Sequence, residues 1–135
     1  MTKKELRAAM KKRNLSLSSE ERDAASERIF GRVERLPGFS AARCAAFFCA
    51  LPDEPQTGAA LARWSAAKRI VVPRVEGDAM RFYDYAPGEL CRGAFGIAEP
   101  SVAERPCDPA DIDFIVVPGV AFTAAGARMG RGRGY

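Results

Sequence analysis

The chain has 135 residues, 47% hydrophobic and 28% charged, with a net charge of +4 and no histidine. That length suits one domain able to bury roughly two-thirds of its unfolded surface, and the balance excludes disordered, collagen-like and mucin-like classes. Without imidazole, Ser-His or Cys-His nucleophilic pairs and the usual His/Cys zinc sites are excluded, so any chemistry must run on Lys, Arg, carboxylates, Tyr and backbone amides.

The modest positive charge fits an anionic small molecule as readily as nucleic acid. No apolar run approaches the ~20 residues that cross a bilayer, and Met1-Thr2-Lys3-Lys4-Glu5 has no apolar signal region, so a cytoplasmic location is the default expectation. Cys44, Cys49, Cys91 and Cys107 show no Cys-x-x-Cys spacing and read as reduced packing residues.

Leu6, Ala9 and Met10 recur at helical spacing among basic residues and predict an amphipathic helix over 2–13. Ser18-Ser19-Glu20-Glu21 offers a capping box for a second helix that runs to about Arg35, with Ile29, Val33 and Leu36 inward, and Pro37-Gly38 ends it. Residues 44–49 are apolar throughout, as in a strand covered on both faces. A polar turn, Leu51-Pro52-Asp53-Glu54-Pro55, follows. Thr57 is placed to cap a helix through about Ala67 that buries Leu61 and Trp64, and 69–73 form the next apolar strand. Strand, helix, strand predicts a parallel sheet.

Residues 75–79 read as a turn and 80–85 as a half-exposed alternating strand. About twenty-five irregular residues rich in Gly, Pro and Ala come next, a length usually tied to function. The last buried strand, 113–118, delivers the chain toward Arg128-Met129-Gly130-Arg131-Gly132-Arg133-Gly134-Tyr135. Ligand sites in open α/β sheets lie at such carboxyl ends. Glycines that permit close backbone approach, alternating with arginines, suit a phosphate grip.

Three features together, Lys3-Lys4-Glu5-Leu6-Arg7, Leu51-Pro52-Asp53-Glu54-Pro55, and Pro118-Gly119-Val120-Ala121-Phe122 leading to Gly130-Arg131-Gly132-Arg133-Gly134-Tyr135, resemble the 5-formyltetrahydrofolate cyclo-ligase (methenyltetrahydrofolate synthetase) family over essentially the whole chain. The resemblance implies an α/β three-layer sandwich with a mainly parallel central sheet flanked by helices. It also implies conversion of 5-formyltetrahydrofolate to 5,10-methenyltetrahydrofolate with consumption of ATP, assisted by Mg2+, through phosphorylation of the formyl oxygen. Such chemistry needs positioning and charge neutralisation more than a titrating histidine.

Carried over residue by residue, the resemblance places Lys3, Lys4, Arg7, Arg128, Gly130, Arg131, Gly132, Arg133, Gly134 and Tyr135 at ATP. It places Cys49, Glu54, Phe95 and Tyr135 at the folate, with Glu54 pairing with the pterin donor edge, and Arg133 and Tyr135 in catalytic roles. Thr123 stands where the family commonly carries Asp, and Met129 where it carries Leu. The family's pattern continues past Tyr135 with Tyr-Asp, a helix and further strand structure. The expectation is therefore one cyclo-ligase domain over 1–135, lacking its C-terminal elements, with no metal ligand assignable and a monomeric state.

Three other readings stand beside this one. A nucleic-acid-binding module could use the basic Arg/Gly tail. A dinucleotide-binding oxidoreductase lacks the helix and acidic ribose ligand that should follow the glycines. An inactive truncated family member would keep the fold without the reaction.

Overall fold

The computed structural model describes residues 1–86, 90–92, 98–100 and 106–131. Helix α1 spans Lys3–Leu15, its first turn closed by the Thr2 hydroxyl accepting the Glu5 amide. Helix α2 spans Ser19–Glu34 and begins with the expected capping box, Ser18 and Glu21 each accepting the other's backbone N–H. Pro37 starts the short α3, Pro37–Ala41, where a missing amide costs nothing. Strand β1 is Cys44–Ala46, helix α4 is Gly58–Ser65, and β2, Arg69–Glu76, turns through Gly77 and Asp78 into β3, Ala79–Asp84. Gly77 adopts φ 62°, the left-handed conformation that a two-residue hairpin turn requires.

The pair β4 (Leu90–Arg92) and β5 (Ala98–Pro100) is antiparallel and falls where the sequence reads as irregular. A 3-10 turn at Pro109–Asp111 leads to β6, Phe114–Ile115, and a final hairpin joins β7, Ala121–Phe122, to β8, Arg128–Met129. The four-stranded sheet has the order β3-β2-β1-β6. β1 pairs in parallel with both β2 and β6, and only the β2–β3 hairpin is antiparallel. This is the expected α/β fold with a mainly parallel sheet and helices. Among the described residues, no helix is long and apolar enough to cross a membrane.

Period-two alternation divides the sheet. Ala45, Phe47, Ile70 and Val72 face a core built by Phe30, Phe39, Leu61 and Trp64, so α2, α3 and α4 all pack on this side. Cys44, Ala46 and Val71 face the other way, against Cys107, Phe82 and Ile112. Ile115 on that face is 53% exposed, beside a cavity of about 540 Å³ lined also by Met80, Phe82 and Cys107.

The inward stripe of α2 departs from the expected one. Ile29 and Leu36 are exposed, and Ser26, Phe30 and Val33 face the core. The helix is rotated because Phe30 packs edge-on against Trp64 with centroids 5.8 Å apart, while the Ser26 hydroxyl accepts the Gln56 amide at 2.8 Å. Strands β1 and β6 are shorter than the expected runs 44–49 and 113–118. At β6 the Asp113 carboxylate accepts the Arg43 and Cys44 amides at 3.1 Å each, replacing a strand partner with a side chain.

Candidate functional site

The loop after the first strand is stiffened by its own polar groups. Glu54 donates its amide to the Leu51 carbonyl at 3.0 Å, while its Oε1 accepts the Leu51 amide at 2.8 Å. The Gln56 side-chain amide donates to the Leu51 and Glu54 carbonyls. Thr57 stands at the start of α4 but caps nothing with its side chain. Its hydroxyl accepts the Ala50 amide across the loop instead, which closes the turn at its base. Asp53 and Glu54 thereby sit side by side, each side chain only 6% exposed.

One guanidinium serves both carboxylates. Arg131 Nη2 lies 2.8 Å from Asp53 Oδ1 and 3.3 Å from Glu54 Oε2, so the segment after β8 is tied to the loop after β1. Burial works against the Arg131 charge, but hydrogen bonding to Asp53 and the charges of Glu54 and Asp53 outweigh it and raise its pKa above the ordinary arginine value. Next to it, Arg7 on α1 donates from Nε to the Gly130 carbonyl at 2.9 Å. A cleft of about 160 Å³ opens between them, lined by Arg7, Ala8, Lys11, Asp53, Val120 and Arg131. Its lining carries three cations and one carboxylate, a positive balance that suits an anionic group. It is smaller than sites that enclose a whole cofactor, and so suits part of a ligand such as a phosphate group.

The glycine-arginine segment is shaped by the β7–β8 hairpin. Arg128 donates from both Nε and Nη2 to the Pro118 carbonyl, so much of its fork is occupied in closing the hairpin base. A Cβ at Gly130 would come within 3.1 Å of Arg128 Nη2, so a larger residue there would crowd the Arg128 guanidinium that closes the hairpin. At the hairpin tip the Thr123 hydroxyl accepts the Ala127 amide, a role an aspartate carboxylate fills equally well. That accounts for how the loop is anchored with Thr at this position.

The structure brings together three segments far apart in sequence, at Arg7, at Glu54 and at Gly130-Arg131. Lys3 and Lys4 at the start of α1 are exposed and do not line the cleft. Cys49 is buried in the helix-side core with Phe47 and Phe48, not on the cleft. Phe95, Gly132, Arg133, Gly134 and Tyr135 lie outside the described residues.

Lys11 and Asp53 were missed by the reading of the sequence. Both were within reach of it: Lys11 is four residues beyond Arg7 and shares its helix face, and Asp53 adjoins Glu54. Cys44, Cys49 and Cys107 are buried packing groups. Burial first, and then the neighbouring Cys107, push the Cys44 thiol up to about 11, too high for a nucleophile at neutral pH.

A family model for the 5-formyltetrahydrofolate cyclo-ligase family matches residues 1–135. The chain belongs to that family. It is 28% identical over 142 residues to the 5-formyltetrahydrofolate cyclo-ligase of Mycolicibacterium smegmatis, an alignment that covers 99% of this chain and 72% of the relative. It is also 28% identical over 142 residues to a probable 5-formyltetrahydrofolate cyclo-ligase of Schizosaccharomyces pombe, covering 100% and 70%.

Among solved structures, the 5,10-methenyltetrahydrofolate synthetase of Aquifex aeolicus superimposes with a TM-score of 0.88 at 38% identity, over 100% of this chain and 70% of that one. A synthetase from Mycoplasma pneumoniae has a TM-score of 0.75 at 21% identity, over 100% and 74%, and shares the fold. The cyclo-ligases are an enzyme family, so this α/β chain is a member of a ligase family that acts in folate chemistry.

Proposed function

We propose that this cyclo-ligase family member binds 5-formyltetrahydrofolate and ATP and closes the folate ring to give 5,10-methenyltetrahydrofolate, ADP and phosphate. The observation that supports this most strongly is the convergence of a buried Asp53–Glu54 pair with Arg7, Lys11 and Arg131 at the carboxyl end of the sheet. Carboxylates there offer acceptors to the pterin's donor edge, and the cations offer countercharge to a triphosphate. Glu54 Oε1 accepts the Leu51 amide, and Oε2 faces the Arg131 guanidinium, whose departure would open that oxygen to a ligand's donors.

In this reading the formyl oxygen attacks the γ-phosphorus, and the bond to the bridging β–γ oxygen breaks to release ADP. The second folate nitrogen then attacks the formyl carbon, the carbon–oxygen bond breaks to release phosphate, and that nitrogen loses its proton. The chain's part is to align the two ligands and to neutralise charge that builds on the transferred group, both of which lower the barrier without a proton relay. Arg7 and Lys11, with the segment from Gly130 onward, take the phosphate side, and Glu54 the pterin side.

Magnesium needs hard oxygen ligands. Among the described residues no group of three or more His, Cys, Asp or Glu side chains converges, and Asp53 and Glu54 are both engaged by Arg131. The described residues therefore do not fit a protein-held ion, and no step is assigned to one. The test is to supply ATP, magnesium and 5-formyltetrahydrofolate and follow the methenyl chromophore. ATP-dependent appearance of the chromophore is expected; folate and nucleotide that both bind yet yield no ATP-dependent product would contradict the proposal.

A further inference from the structure

Arg131 holds a contradiction that the site has to resolve. Its guanidinium lies over Glu54 Oε2 and against Asp53 Oδ1, leaving Glu54 only 6% exposed, yet the same side chain lines the cationic cleft beside Arg7 and Lys11. It cannot give its fork to a phosphate without leaving two adjacent, buried carboxylates short of their countercharge. Nor can a pterin take up Glu54 fully while Arg131 covers it.

We propose that Arg131 is a partner-exchanging latch: it leaves Asp53 and Glu54 for the nucleotide's phosphates as the pterin's donors replace it on Glu54, so that each ligand strengthens the binding of the other. The proposal rests on the reading of Glu54 as the pterin's carboxylate. Either ligand alone makes the exchange unfavourable. Phosphate alone strips the carboxylates, and uncompensated buried charge is costly. Folate alone displaces a guanidinium that has nowhere to pair. With both present, Glu54 regains donors from the pterin and Arg131 gains a phosphate, while Asp53 stays on the cleft beside Arg7 and Lys11.

The geometry favours an exchange over a fixed tie. Arg131 is 35% exposed, so its head has room to move, whereas Glu54 is fixed by its bonds to Leu51 and by the Gln56 and Thr57 bonds around it. The backbone at Gly130 is held to α1 by Arg7, so the latch can swing while its base stays in place. Coupling between ligands is reciprocal by linkage, which makes the effect measurable from either side.

The experiment is to measure the dissociation constant of 5-formyltetrahydrofolate with and without a saturating non-hydrolysable ATP analogue, in the unaltered protein and in Arg131→Ala, Arg131→Lys and Glu54→Gln. In the unaltered protein the analogue is expected to tighten folate binding by about fivefold or more. In Arg131→Ala that ratio should fall to about one, because the cover on Glu54 is gone whether or not nucleotide is present. Arg131→Lys, which keeps the charge and supports folding but lacks the fork, should retain part of the coupling.

Equal coupling in the unaltered protein and Arg131→Ala, or no coupling in the unaltered protein, would overturn the latch while leaving the pterin reading intact. If Glu54→Gln binds folate as tightly as the unaltered protein does, the pterin reading itself fails, and the latch with it. A purely structural Arg131 would change both dissociation constants and leave their ratio alone.

Discussion

Trp64 and Arg131 are both hubs, and they hold the molecule in opposite ways. Trp64 is 5% exposed and packs against Phe30, Phe39 and Phe47 with ring centroids 5.8, 4.8 and 4.9 Å away. These contacts are numerous, weakly directional and mutually redundant, so the core tolerates small shifts. Arg131 instead joins two segments through ion pairs at 2.8 and 3.3 Å, and a single nearby bond, Arg7 to Gly130, ties in α1. The core sets where the sheet's edge lies. The edge cluster sets which charges face each other there.

The largest expected effect is on the core. Trp64→Ala should destabilise the fold by about 3–5 kcal/mol in denaturant unfolding, through lost area and the cavity left behind. It also takes the indole donor from Glu34, whose carboxylate is held below its ordinary range by Arg63 first and Trp64 second. A loss under about 1 kcal/mol would mean that the hub is not central.

At the edge, Arg7→Ala should cost only about 1 kcal/mol of stability for the lost Gly130 bond, while weakening nucleotide binding by more than Lys3→Ala or Lys4→Ala, whose side chains are exposed. Isothermal titration with an ATP analogue checks this. Equal losses at all three positions would mean that the basic face acts as a diffuse field and not through the cleft.

Smaller still is a pH effect at the amino end of β1. The Arg43 amide first, and the Cys44 amide second, lower the Asp113 pKa from its ordinary value of 3.8. Because the folded value lies below the unfolded one, the stabilisation is complete above about pH 4 and is lost as pH falls through the depressed folded pKa. Asp113→Asn should therefore show a shallower loss of Tm on acidification than the unaltered chain. Parallel Tm profiles would remove that carboxylate from the account.

The fold was legible where one local rule decided it. The Ser18–Glu21 box, the apolar runs of β1 and β2, and the Leu61–Trp64 face of α4 all follow from spacing alone. What escaped depended on tertiary partners. Ile29 faces solvent because Phe30 wins the place against Trp64, and the Thr57 hydroxyl turns to Ala50 because the loop needs closing more than the helix needs a cap. In the site, Glu54, Arg7 and Gly130 were marked by motif. Their pairing was not, since a one-dimensional pattern does not reveal that Arg131 reaches Asp53 and Glu54 or that Arg128 spends its donors on Pro118.

The most direct test of the central claim, that the carboxylate half of the edge cluster takes the folate and the cationic half the nucleotide, is titration of Glu54→Gln with each ligand separately. Folate binding should weaken by about tenfold or more, since a charged acceptor is lost, with nucleotide binding largely retained. Equal weakening of both, or folate binding unchanged, would contradict it.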